Sequence, residues 1–163
     1  QGNDTNYKSP SQVIRIFAEC IGMGGNLLLD IGPKADGIIP AEQVQVLREL
    51  GRWTAKHSEA IYGTGAGLPD GFFEGPTTMS RDSTTLFLFF YGNAGGEVML
   101  EGVKNKISRA YVVGNGTKLE VKEYLRPYWS NHSGVNFIKV PENTLDPQMT
   151  VIGLILDGKL KTE

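Results

Sequence analysis

Apolar residues recur along this chain with two different periods, and the change of period divides it. Between residues 9 and 23, Val13, Ile16, Phe17 and Cys20 follow the i, i+3, i+4, i+7 spacing of one buried helix face. Ser9 suits the N-cap, Pro10 suits the first helical position, and Gln12 completes a capping box. Gly24-Gly25 ends that helix. A second helix is predicted over about 40–56, with Pro40 near its start and Val44, Leu47, Leu50 and Trp53 as its apolar stripe. Between the two lies GGNLLLDIGPKADGIIP, residues 24–40. Its apolar run, Leu27 to Ile31, is interrupted only by Asp30 and closed by Gly32-Pro33. The pattern predicts a strand over 26–31 that is buried on both faces and feeds a loop.

Past residue 60 the runs become short and β-rich. They are Thr84 to Tyr91, Val98 to Leu100, Ile107 to Val113, Leu119 to Val121, Phe137 to Val140 and Val151 to Leu156. Turn residues separate them, and Asn115-Gly116 between two runs is a strong hairpin signal. Several short strands at regular spacing predict an antiparallel β-sandwich. Gly63, Gly65, Gly67 and Pro69 mark the boundary, giving segments 1–62 and 63–163. A strand apolar on both faces requires parallel neighbours and covering helices. None is predicted here, so the first segment is expected to complete a larger α/β body.

Composition narrows the function classes. The chain has 163 residues, 40% hydrophobic and 21% charged, with net charge -2. These are values of a soluble globular protein, and without a basic cluster they argue against a nucleic-acid partner. No run is long enough to span a membrane. The single cysteine, Cys20, cannot form an internal disulfide and is expected to be a buried, inert thiol. The opening Gln1-Gly2-Asn3-Asp4, with no initiator methionine or signal peptide, is expected of a fragment or a processed product.

The block GGNLLLDIGPKADGIIP, then Leu50-Gly51-Arg52-Trp53, then Glu59-Ala60-Ile61-Tyr62-Gly63-Thr64, resembles the α-L-fucosidases of glycoside hydrolase family twenty-nine. The family pattern runs GGNLLLNIGPKxDGxIP, LGxW, GEAIYGT. The remainder is similar to that family's C-terminal sandwich. The resemblance implies a fold of α/β followed by all-β: the last segment of a (β/α)8-like barrel over 1–62, then the sandwich over 63–163. It also implies a retaining exo-acting hydrolase of terminal α-L-fucose on glycans. Retaining glycosidases carry two carboxyl groups about 5–5.5 Å apart. In the family's order both precede residue 1, so no catalytic residue is carried over, and this chain alone is expected to be inactive. No cofactor and no metal are expected. The implied partners are the fucosylated glycan and the missing N-terminal barrel portion, and the implied location is extracytoplasmic. The alternative is a non-catalytic carbohydrate-binding or scaffolding sandwich module.

Two residues are candidates for substrate binding or its support. Asp30 stands where the family often has Asn. A carboxylate in a buried strand must be paired or hydrogen-bonded, and on the face shared with Asn26 and Leu28 it would lie near the barrel mouth, orienting a pocket residue or anchoring a loop. Tyr7 precedes the first helix cap, where the family has an aromatic near the fucose ring; packing alone is the competing role. Asp36-Gly37 reads as a turn in which Asp36 bonds its own backbone. His57 falls at a helix end, where a cation suits the dipole. Tyr128 and Trp129 form an aromatic cluster in a polar loop, either plugging the sandwich edge or contacting a glycan. Three Asn-x-Ser/Thr sequons start at Asn3, Asn115 and Asn131.

Overall fold

A computed structural model describes residues 6–91, 96–124 and 128–163. Helix α1, Pro10–Gly22, forms as its caps dictate. Ser9 Oγ accepts from Gln12 N at 3.3 Å, while Gln12 Oε1 accepts from Ser9 N at 2.8 Å. At the other end Gly24 takes φ +80°, the left-handed geometry that closes a helix, and donates to Ile21 O at 2.9 Å. Helix α2 spans Ala41–Lys56 and the short α3 spans Ser58–Ile61.

Eight antiparallel strands follow: β1 Thr64–Ala66, β2 Thr77–Ser80, β3 Thr85–Phe90, β4 Glu97–Leu100, β5 Ile107–Val112, β6 Lys118–Tyr124, β7 Val135–Lys139 and β8 Thr150–Leu156. Their order is β1-β2-β3-β8-β5-β6-β7-β4. The Asn115-Gly116 turn joins β5 to β6 as its sequence predicts. The sheet curls so that Leu86, Leu88, Ile152 and Leu154 meet Leu100, Leu119 and Ile138 in one core. A second core lies on the opposite face of β3 and β8, where Phe87, Phe89 and Val151 pack against Ile14 and Ala18 of α1 and Trp53 of α2. Both central strands are therefore apolar on both faces. Gly153 of β8 stands opposite Tyr111 of β5, whose ring would lie 2.5 Å from any Cβ there. The missing side chain lets that ring lie across the strand.

Residues 26–31 are the main correction. They form no strand, and among the described residues nothing pairs with them. Leu28 is 85% exposed, and Leu29, Asp30 and Ile31 are exposed too. An apolar run becomes a strand only against a partner edge, and the partner edges in this fold belong to the β-rich segment. Every described pairing is antiparallel, and the region of β1 and β2 is more structured than its sequence suggests. Two smaller expectations also change. Cys20 is half-buried because its helix face meets the Gly25 turn rather than the core. Tyr128 and Trp129 project into solvent instead of plugging an edge.

Candidate functional site

The segment before α1, the extended residues 29–31 and one face of α2 converge on a cleft of about 200 Å³. Tyr7 and Asp30 both line it, together with Asn6, Lys8 and Gln43. The two sequence-predicted residues are thus brought to one place, although they are 23 positions apart. The Gln43 side chain ties the end of the extended run. Gln43 Oε1 accepts from Gly32 N at 3.0 Å, and Gln43 Nε2 donates to Gly32 O at 3.4 Å. Beyond it, Asp36 Oδ1 accepts from Ile38 N at 3.0 Å and Gly37 takes φ +82°, the expected turn.

This cleft offers an aromatic ring, a carboxylate and an ammonium group. Among the described residues Asp30 is the one carboxylate lining it, and the cleft is smaller than the roughly 300–1,000 Å³ of ordinary ligand pockets. It suits one wall of a binding site rather than a reaction centre. No group of residues that could hold a metal ion occurs among the described residues. Larger hollows, about 650 and 490 Å³, flank Phe73, Glu74 and Tyr91 at the sheet rim. There Tyr91 OH donates to Glu19 Oε1 at 3.4 Å with the Arg15 guanidinium 4.5 Å above the ring. Burial pushes the Tyr91 hydroxyl up to about 12, so it remains a neutral donor.

The strongest electrostatics lie where α2 meets the sheet, and the sequence did not announce them. Asp146, its side chain 1% exposed, receives Arg52 Nη1 and Nη2 at 3.0 and 3.1 Å and Lys56 Nζ at 2.8 Å. Burial alone would raise this carboxyl, but the hydrogen bonds from Arg52 and Lys56 outweigh it and hold it well below the usual carboxylate range. Beside it, Trp53 Nε1 donates to Met149 O at 2.8 Å. His57 is fully buried rather than capping a helix in solvent. Its Nδ1 donates to Trp53 O at 2.8 Å, and its Nε2 has no partner among the described residues. Burial lowers its pKa to about 4 and keeps the ring neutral. These groups fasten α2 to the loop before β8.

Residues 1–59 match the family model described as Alpha-L-fucosidase. The chain resembles the C-terminal portion of an α-L-fucosidase. The α-L-fucosidase of Dictyostelium discoideum is 42% identical over 60 residues, which is 37% of this chain and 13% of that protein. The solved α-L-fucosidase isoenzyme 1 of Paenibacillus thiaminolyticus superposes with a TM-score of 0.80 at 30% identity, over 95% of this chain and 36% of that one. The α-L-fucosidase of Vibrio sp. strain EJY3 gives 0.82 at 27% identity, over 99% of this chain and 28% of that one. The chain therefore spans about a third of the solved α-L-fucosidases and a smaller share of the curated ones. The family model and the curated relatives match the segment bearing Tyr7 and Asp30, and the likeness to the solved α-L-fucosidases extends through the sheet.

Proposed function

We propose that the intact protein is a retaining exo-α-L-fucosidase removing terminal α-L-fucose from glycans. In this reading residues 1–62 are the closing portion of a (β/α)8-like barrel, residues 63–163 its C-terminal sandwich, and the catalytic Asp/Glu pair lies upstream of residue 1. The carrying observation is the family match over residues 1–59, the segment in which Tyr7 and Asp30 share a cleft. The exposed apolar residues Leu28, Ile31 and Ile38 support the same reading, since they offer a surface suited to the rest of a barrel. Tyr7 would provide an apolar wall for the C6 methyl of fucose, and Asp30 would orient a neighbouring pocket group. No helix among the described residues is long and apolar enough to cross a membrane. An extracytoplasmic location is proposed from the family likeness.

The protein with its upstream region should hydrolyse an aryl α-L-fucoside and give the retained anomer by proton NMR. Tyr7→Ala should raise KM, and Asp30→Asn should lower kcat/KM without changing thermal stability. Hydrolysis by residues 1–163 alone, or inversion at the anomeric carbon, would overturn the proposal.

A further inference from the structure

Tyr128 and Trp129 are the two most exposed aromatic side chains among the described residues, at 95% and 75%. They lie in the connection that leaves β6 at Tyr124 and enters β7 at Val135. Their rings pack edge to face, 4.7 Å apart at 88°, so each limits the other's orientation. The connection beyond them is tied down. The Glu163 carboxylate accepts from Ser133 N and, at 2.8 Å, from Ser133 Oγ, while His132 N donates to Ser130 Oγ at 3.0 Å. Gly134 presses so close to Tyr124 O that a Cβ there would sit 2.7 Å away. The connection is thus tied on the C-terminal side of the rings, which lowers the ordering entropy that binding must cost.

Tyr124, half-exposed, packs edge to face on Phe137 at 5.5 Å, and Phe137 stands opposite Met99, itself half-exposed. Charges around this strip are mixed: Glu120 and Lys122 pair at 3.5 Å, and Lys139 stands opposite both Glu97 and Glu120. Among the described residues this strip carries no cluster of one sign, so it does not favour a polyanion or an acidic lipid surface. Tyr128 and Trp129 together present no more than roughly 500 Å². That falls short of the about 800 Å² per partner of a stable protein interface. The occupant that fits is small and flat, with an apolar face and a polar rim, and a pyranose ring has that form. Its axial C–H face can lie on an aromatic ring while its hydroxyls remain in water or reach neighbouring polar groups.

We propose that Tyr128 and Trp129, which are not among the residues lining the cleft at Tyr7 and Asp30, form an accessory glycan-binding platform. The choice of a glycan as occupant rests on the fucosidase reading. The test uses the full-length protein, made in a host that adds no N-glycans, with fucosylated gastric mucin as the probe in a native gel. The wild type should be retarded. Trp129→Ala should weaken retardation about tenfold, the size of one lost aromatic contact, and Trp129→Phe should restore most of it. Hydrolysis of an aryl fucoside should be equal in all three. Equal retardation of Trp129→Ala would overturn the platform. Trp129-dependent sedimentation with phosphatidylcholine vesicles, or a Trp129-dependent dimer without mucin binding, would also overturn it. Retardation through Trp129 in a protein that hydrolyses no fucoside would refute the fucosidase reading and leave the platform standing.

Discussion

Two apolar runs in this protein look alike in sequence and end in opposite environments. Residues 27–31 read LLLDI and residues 86–90 read LFLFF. The first is solvent-exposed with Leu28 at 85%, while in the second every residue is buried and Leu86, Leu88 and Phe89 are wholly inaccessible. The difference lies outside the runs. β3 has β2 and β8 on its edges, the folded sheet on one face and α1 and α2 on the other. The 27–31 run has no strand beside it among the described residues and is tied at its end by the Gln43 side chain on Gly32. An apolar stretch thus expresses a requirement for neighbours, and the rest of the chain decides whether it is met.

Truncating each run should separate them most widely. Phe89→Ala should cost about 3–5 kcal/mol in urea unfolding of this chain, whereas Leu28→Ala should change it by less than about 0.5 kcal/mol. Repeated in the intact protein, Leu28→Ala should become costly if a barrel covers it. Equal effects in the isolated chain would break the comparison.

Cutting the fastening between α2 and the sheet should have the next largest effect. Asp146→Ala leaves Arg52 and Lys56 without their partner. Since both are about one-third exposed, the loss should be about 2 kcal/mol rather than the larger figure for a fully buried pair. Thermal unfolding by circular dichroism would measure it.

Acid should weaken the same junction in two steps. His57 has a folded value of about 4, below its ordinary 6.5, so the unfolded chain binds protons first. Its contribution is complete above pH 6.5 and declines as pH falls toward 4. Asp146 is depressed too, and its contribution persists until pH drops below the ordinary carboxylate range of about 3.9. Melting temperature should therefore fall between pH 6.5 and 4 before any loss from Asp146. His57→Phe should flatten that first decline, and an unchanged pH profile in the variant would show that His57 is not its source. A small and mostly local effect is expected from Gln43→Ala. It should cost below about 1 kcal/mol globally while speeding amide exchange at Gly32.

Much of this architecture was legible because its causes are local. The capping box at Ser9 and Gln12, the stripe ending in Trp53 and the Asn115-Gly116 turn each act within a few residues. The strand expected over 26–31 failed because periodicity reports apolarity and cannot report a partner edge. β2, reading TTMS, was missed because its apolar content is low; its burial comes from the β3 edge and from α3, where Thr78 Oγ1 donates to Ala60 O at 2.7 Å. The Asp146 fastening joins residues 94 and 90 positions apart, beyond any motif spacing. Tyr7 and Asp30 were chosen through family likeness and an argument from a buried strand. They line one cleft although that strand is absent, a proximity between residues 23 positions apart that no motif spacing shows.

The position of β8 has a consequence for how such a chain is made. β8 comes last among the eight strands, yet it lies between β3 and β5 at the centre of the sheet. A ribosome releasing this polypeptide from its N-terminus would expose both flanking strands, and the helical face meant to cover them, before their shared neighbour exists. Until Leu156 has emerged, two unpaired edges must be kept from other nascent chains. A premature stop between Val140 and Thr150 would delete the centre of the sheet rather than trim its rim.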